Sequence, residues 1–358
     1  MATAVRIDGS HGEGGGQILR TALALSAIVG RHAEIVKIRA RRKKPGLQPQ
    51  HLTAVTAVAR VAEAEVDGAE LGSTSLTFRP RQIRGGDFVL EVGTAGATTL
   101  VFQAMLWPLA VGAGRGQVVI RGGTHVPYSP PFHYLRDVFL PAAAALGLKA
   151  STDLLRWGFY PRGAGGMRAE VHPPTLFKPV ELVERPAPTL VHGISAVVNL
   201  PRSIGDRQRE RAAKRLKAEG LTPKLETVEA SGLGQGTFLF LALTDGPVPA
   251  GFSALGERGK PAERIADETV DRLLDFARSG AAVELHLADQ LLLPMALAPG
   301  PSVMTVERVT EHLVTNAWVI EQFLPAKVSI EGKLGKGGRV AVEGARGKAA
   351  AAARRRAQ

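Results

Sequence analysis

The chain has 358 residues and a mass of 37.8 kDa, enough for two domains or for one large domain carrying an insertion. A hydrophobic share of 45% with 22% charged residues excludes a wholly disordered chain, and the absence of cysteine excludes disulfide partners, thiolate chemistry, zinc–thiolate sites and iron–sulfur clusters. A net charge of +12 favours a polyanionic partner, nucleic acid first. No run of ~18 apolar residues is present, so no membrane span is expected. The N-terminal MATAVRIDGSHGEGGG lacks the apolar stretch of a secretory signal, so the expected setting is cytoplasmic.

AVRID (4–8) reads as a strand that ends at the glycine cluster SHGEGGG. In QILRTALALSAIVG, Ile18, Ala22, Leu25 and Val29 recur at helical steps, and Gly30 is placed to cap that helix. HAEIVKIRA (32–40) predicts a strand, RRKKPGLQPQ a loop and 51–64 a helix. LTFRP and FVLEVG predict strands, GTAGATT opens a helix over 97–111, and VVIRGG (118–123) is a strand. PPFHYLRDVFLPAAAALG predicts a helix started by prolines, where missing amide donors cost least. Three stretches repeat one pattern, a strand and a small or polar turn followed by an apolar helix with an early glutamine: GEGGGQILRTALAL, GTAGATTLVFQAML and HLADQLLLPMALA.

The texture changes over 185–279. VHGISAVVNLP is a strand, 206–220 a highly charged helix, FLFLALTDG an apolar strand and ADETVDRLLDFARSG an amphipathic helix. The expected organisation is a discontinuous large domain (1–184 plus 280–340), a small inserted α/β domain (185–279) and a basic low-complexity tail (341–358). Residues 331–358 hold eight Lys/Arg against Glu331 and Glu343, and their later part is too poor in apolar residues to fold. The fold class is α/β with α+β layers.

Several familiar sites are absent. There is no G-x-x-x-x-G-K-[S/T] phosphate loop, no H-E-x-x-H, no G-x-S-x-G and no G-x-G-x-x-G. Arg6-Ile7-Asp8-Gly9 has arginine where a lysine nucleotidyl transferase needs lysine, and arginine cannot attack phosphorus. What remains is a set of anion-binding features. Gly12, Gly14, Gly15 and Gly16 expose amides ahead of a helix N-terminus, which favours phosphate. Glu13 suits a divalent cation between phosphates, and Gln17 and Arg20 face alike one turn apart. Lys37, Arg39 and Arg41 would share one strand face, beside Arg42, Lys43 and Lys44, and guanidinium forks fit phosphate oxygens. His312 begins an amphipathic helix with Thr315, Asn316 and Val319 on its face. There an imidazole stays neutral and nucleophilic.

IDGSHGEGGGQILR, IRARRKKPGLQPQHLTAV, GTAGATTLVFQ, RGGTHVPYSPP, GFYPRGAGG, HLADQLLLPMALA and EHLVTNAWVIEQFLP occur in this order across 7–325. Together they resemble the RNA 3′-terminal phosphate cyclase family. The resemblance implies a large domain of three repeated βαβαββ-type units with a small α/β insert. It implies ATP-dependent conversion of an RNA 3′-phosphate to a 2′,3′-cyclic phosphodiester, releasing AMP and pyrophosphate, with RNA ending in a 3′-phosphate as partner. By resemblance His312 is the nucleophile that takes AMP, and Glu13 bridges a divalent metal, Mg²⁺ or Mn²⁺. Gln17, Arg20, Arg39, Arg42 and Gln50 line the phosphate end. Gln103 contacts the nucleotide and Pro130 lies against adenine. The segment His286, Leu287, Ala288, Asp289 and Gln290 matches the family's nucleotide loop. His286 stands where the family usually has tyrosine, so weaker ATP affinity is expected. Two other readings compete: a non-catalytic, RNA-binding ribosome-assembly relative, which lacks the nucleophilic histidine, and an enolpyruvyl transferase of related repeat architecture. The sequence carries no signal for an oligomeric state.

Overall fold

The computed structural model describes residues 4–345. They form a mixed α/β fold with four sheets of four strands. Three sheets share one connectivity. The first contains β1 (Val5–Asp8), α1 (Gly16–Val29), β2 (Ala33–Val36), α2 (Pro49–Val61), β3 (Glu65–Asp67) and β4 (Leu76–Arg79), with strand order β1-β2-β4-β3. The first two strands are parallel, as a helical crossover permits, and the last two pair antiparallel.

The second unit runs β5 (Arg84–Glu91), α3 (Thr98–Val111), β6 (Ala113–Gly122), α4 (Phe132–Tyr134), α5 (Leu140–Ala145), β7 (Ala150–Arg156) and β8 (Gly165–Val171), in order β5-β6-β8-β7. The third starts at β9 (Glu181–Leu182). Before it resumes, the chain makes the fourth sheet from β10 (Leu190–Val198), α6 (Arg202–Ala218), β11 (Thr222–Ala230), β12 (Gly236–Leu243), β13 (Ala250–Leu255) and α7 (Ala262–Ser279). It then continues through α8 (Leu285–Leu297), β14 (Pro301–Val306), α9 (Glu311–Phe323), β15 (Lys327–Gly332) and β16 (Gly338–Glu343), giving β9-β14-β16-β15. The protein is therefore three βαβαββ units with a small α/β insert.

Burial explains the layering. Helices α1, α3 and α8 are apolar on nearly every side and lie in the interior, as all-round hydrophobic helices must. Strand β12 alternates: Phe238, Phe240 and Ala242 join the main core, while Leu239, Leu241 and Leu243 pack with Ile265, Val270 and Leu273 of α7. The insert thus has its own core and is sealed to the body by its other face. No helix among the described residues is long and apolar enough to cross a membrane.

Four local expectations change. The strand expected over 32–40 ends at Val36, because Lys37 and Arg39 take left-handed φ values of 52° and 54°. Lys37, Arg39 and Arg41 consequently share no strand face. The turn spreads the like charges, sending Lys37 to Asp8 at 2.9 Å and Arg41 to the Gly12 carbonyl at 2.7 Å. The proline-started helix contains a π-turn at Leu135–Phe139, where the Leu140 N–H donates to the Leu135 carbonyl. The widened turn lies just ahead of Pro141, which has no N–H for a regular ladder. The HLADQ segment is not a loop; it forms the first turns of α8, capped by the Glu284 carboxylate, which accepts from the N–H groups of His286 and Leu287. The tail does not begin at 341, because β16 runs to Glu343 with Val340 and Val342 buried. Residues 346–358 of the expected tail lie outside the described residues.

Candidate active site

The first turn of α9 carries His312, whose helix is started by Thr310 accepting the Leu313 N–H at 3.1 Å. The imidazole is half exposed, at 51%, and so is open to a ligand. Its Nδ1 lies 2.8 Å from Gln17 Oε1. The other end of that amide, Nε2, donates to the Asp289 carboxylate. Asp289 therefore fixes the Gln17 amide, and the amide oxygen requires a proton on Nδ1. The lone pair is left on Nε2, 3.6 Å from Glu13 Oε1. Burial first, then the charges of Arg20, Arg42 and His286, push the His312 pKa down to about 4. The side chain is neutral at pH 7.

Glycine lets the phosphate-type loop come this close. Gly12 has φ +51°, and a Cβ there would fall 2.1 Å from Thr315 Oγ1. At Gly16 a Cβ would sit 2.5 Å from His51 Nε2. The same contact region holds Glu13 in place, since its N–H donates to Thr315 Oγ1 at 3.0 Å. The Glu13 carboxylate is only 8% exposed. Its Oε1 pairs with Arg42, and its Oε2 has no hydrogen-bond partner among the described residues.

Three guanidinium groups converge nearby. Arg20, Arg39 and Arg42 all disfavour a charge on buried His51, which burial and these cations push down to about 3. Burial brings the Arg20 pKa down to about 10, so it stays cationic. Arg39 donates to the carbonyls of Lys44 at 2.6 Å and Gly46 at 2.8 Å, which stiffens the basic loop.

The cleft beside His312 has the polar side chains of Gln17, Arg20, Gln103, Asp289, Gln290 and Asn316 over an apolar base that includes Trp107, Phe139 and Leu293. Gln103 donates to Gln290 Oε1 at 2.6 Å, and Gln290 donates to the His286 carbonyl at 2.5 Å. Asn316 donates to the Asp289 carbonyl at 2.7 Å and accepts from Thr21 at 2.7 Å. The early glutamines of the three units, Gln17, Gln103 and Gln290, thus meet around one cleft. Burial and then Glu284 push Asp289 up to about 7, opposed by Arg20. His286 is exposed at the surface, and desolvation first, then the charges of Arg272 and Arg308, push it down to about 4.

Other expected residues sit at the margins. Gln50 Oε1 accepts the Ala97 N–H at 2.8 Å and so holds the start of α3. The Pro130 carbonyl accepts from Thr99 Oγ1 at 2.7 Å. Leu287 and Ala288 are fully buried and belong to the core, presenting no side chain to a ligand. Sequence reasoning missed His51 as a site neighbour, although its position at the start of α2 was visible. It also missed the buried pair beneath α8, where the Tyr134 hydroxyl donates to Glu284. Burial pushes Glu284 up to about 7. No local signal joins residues 150 positions apart.

A family model described as RNA 3′-terminal phosphate cyclase matches residues 11–330. A protein named RNA 3′-terminal phosphate cyclase from Methylococcus capsulatus is 47% identical over 336 residues, covering 92% of this chain and 93% of its own. One of the same name from Pyrobaculum neutrophilum is 44% identical over 331 residues, covering 92% of this chain and 95% of its own. Among solved structures, the enolpyruvyl transferase NikO from Streptomyces tendae aligns over 97% of this chain and 49% of that one, at 12% identity and a TM-score of 0.36. A likeness that slight carries no argument. The family match, by contrast, runs from the glycine loop at Glu13 to the imidazole on α9, so its span holds every residue of the cleft: the chain belongs to the RNA 3′-terminal phosphate cyclase family.

Proposed function

We propose that the cleft beside α9 performs ATP-dependent cyclisation of RNA 3′-phosphate ends, with His312 as the nucleophile. The observation that carries this reading is the Gln17 contact, which puts the proton on Nδ1 and leaves Nε2 free beside Glu13. In the first step Nε2 attacks the α-phosphorus of ATP and pyrophosphate leaves. The AMP group then passes from Nε2 to an oxygen of the RNA 3′-phosphate, forming a mixed anhydride. The neighbouring 2′-hydroxyl attacks the terminal phosphorus, loses its proton and expels AMP, closing the cyclic diester. A phosphate monoester is a poor electrophile, and the adenylate supplies the leaving group it lacks. The 2′-hydroxyl is already adjacent, so ring closure costs little positioning entropy.

Each neighbour has a role in this reading. Arg20 from α1 and Arg42 from the basic loop hold the phosphates of ATP, with Arg39 stiffening the loop that bears Arg42. Gln103, Asp289 and Gln290 bind the nucleoside, and His286 and Pro130 take the two faces of adenine. The Glu13 carboxylate, whose Oε2 has no hydrogen-bond partner among the described residues, fits a hard divalent cation, Mg²⁺ or Mn²⁺. Among the described residues no three His, Asp or Glu side chains gather to hold a metal. Phosphate oxygens would complete its shell, and the ion would offset their negative charge. The reading sets the enzyme in the cytoplasm, where ATP is supplied.

The test is incubation with α-labelled ATP and a divalent metal. Acid-labile label is expected on the wild type and not on His312→Ala. RNA ending in a 3′-phosphate should then become phosphatase-resistant. An unlabelled wild type rules the reading out.

A further inference from the structure

Three loops meet where the second unit touches the insert. His125 forms a parallel bridge with Phe159, and Trp157 forms one with Gly232. The N–H groups of Thr124 and His125 both donate to the Gly158 carbonyl at 3.0 Å. From the insert, Asn199 donates to the carbonyls of Gly232 and Gly234, each at 2.8 Å. Below them lies a packed aromatic floor. His125 stacks on Trp157 at 4.1 Å and contacts Phe238 of the insert edge-on at 4.7 Å. Loops 124–130, 157–163 and 231–236 are therefore held on a rigid base.

That base carries aromatic rings outward. Tyr128 and Tyr160 are exposed at 104% and 68%, beside Leu233 at 54%. Among the described residues no phenylalanine or tryptophan is counted with them as an exposed large side chain. Tyr128 also has φ +61°, a backbone state that bulky L-residues rarely adopt. The fold keeps this ring in water at a conformational cost, with no partner for it among the described residues. The three loops contain no Asp or Glu. Arg162 reaches from one loop to the Leu233 carbonyl at 2.9 Å, and Arg156 to the Ala164 carbonyl at 2.6 Å. Neither has a carboxylate partner among the described residues, so the rest of each guanidinium fork is open. Tyr128 is two residues from Pro130, so their Cα atoms are within about 7 Å.

Resting on the cyclase reading, we propose that Tyr128, Tyr160, Arg156 and Arg162 form a docking surface for single-stranded RNA upstream of the 3′ end. Unpaired bases stack on exposed tyrosines whatever their sequence, and guanidinium forks take the intervening phosphates. Flat exposed rings with cations and no carboxylates complement a polyanion with π faces better than they complement an ordinary protein surface. Neither tyrosine is among the residues assigned to the nucleotide, although Tyr128 shares its loop with Pro130.

The test uses the full chain and two RNAs with 3′-phosphates, one of 20 nucleotides and one of 3. Tyr128→Ala/Tyr160→Ala should raise KM for the 20-mer about 5-fold or more per stacked base lost. The KM for the 3-mer and the rate of labelling by ATP should not change. Tyr128→Phe/Tyr160→Phe should restore wild-type behaviour, because the ring is the contact. Arg162→Gln should weaken 20-mer binding and flatten its salt dependence. Fluorescence anisotropy with the 20-mer, carrying a 3′-hydroxyl or a 3′-phosphate, reads the surface apart from catalysis. If the wild type cyclises nothing yet binds the 20-mer through the tyrosines, the cyclase reading fails and the surface stands. An alanine variant that keeps 20-mer affinity within twofold overturns the surface, and leaves the rings to a protein partner. Equal losses on both RNAs and on labelling also overturn it, by marking a structural role.

Discussion

Gln17 is the residue whose removal tests the geometry most finely. Its amide joins two groups from the third unit, accepting from His312 Nδ1–H at 2.8 Å and donating to the buried Asp289 carboxylate. Gln17→Ala removes the acceptor that sets the tautomer and leaves Asp289 short of a donor. Loss of one such bond with a buried group left unpaired costs about 1–3 kcal/mol. If that cost falls on the reactive geometry, adenylylation slows roughly 5- to 150-fold. Gln17→Glu makes a sharper distinction. A carboxylate at this position can still accept from Nδ1–H, but it stabilises the imidazolium and repels Asp289. The His312 pKa should then rise from about 4, and the acid limb of the rate profile should move up with it. The assay is single-turnover labelling with α-labelled ATP at subsaturating concentration, run from acid to neutral pH. A Gln17→Ala rate within twofold of wild type, with Gln17→Glu showing an unmoved acid limb, would refute the proposed role of this contact.

Four further outcomes follow from the same site. In the wild type, the His312 limb of the labelling profile should lie near its folded pKa of about 4, below any limb near 7 from the Asp289 carboxylate that fixes Gln17, and Arg42→Met should move the lower limb upward by removing a repelling cation. The sign for stability matches. Below the ordinary value of 6.5 the unfolded chain binds protons that folded His312 and His51 refuse, so their share of the stability rises with pH between about 4 and 6.5, while Asp289 and Glu284, pushed up to about 7, contribute with the opposite sign; the rise in urea stability with pH over this range should therefore be smaller in His312→Asn than in the wild type. His286→Tyr enlarges the surface offered to adenine and should lower KM for ATP several-fold, whereas His286→Ala should raise it; a lower KM in the alanine variant counts against the adenine contact. Gly12→Ala forces a side chain onto a left-handed residue and into Thr315, at a cost of about 1–3 kcal/mol read by denaturant melts. Unchanged stability and unchanged labelling would contradict that reading of the loop.

How far the sequence reaches depends on whether a signal is local. Helix α1 is legible because its apolar residues recur at helical spacing and Gly30 takes the left-handed cap, φ 64°. The repeat is legible because each unit runs a strand into an apolar helix bearing a glutamine. What that repeat is for is not legible, since Gln17, Gln103 and Gln290 meet only after three separate units pack. The strand expected over 32–40 fails for a related reason. Its alternation suits a strand, but six cations crowd positions 37–44, and the glycine loop draws Arg41 and Arg42 to its own carbonyl and carboxylate. HLADQ is expected as a loop only through the family resemblance; it is a helix start, and its cap Glu284 is bound by a tyrosine 150 positions away that no local signal reveals. Val340 and Val342 are too short a signal within a glycine- and lysine-rich end to announce a buried strand.

The central claim is that one imidazole nitrogen becomes covalently bonded to AMP. Peptide-mapping mass spectrometry of the protein, after exposure to ATP and a divalent metal under non-acidic conditions, measures it directly. The account predicts a single AMP adduct on the peptide containing His312, localised to that residue, lost on acid treatment and absent from His312→Asn. An adduct on His286, on a lysine of the 37–44 segment or on any other side chain would contradict it.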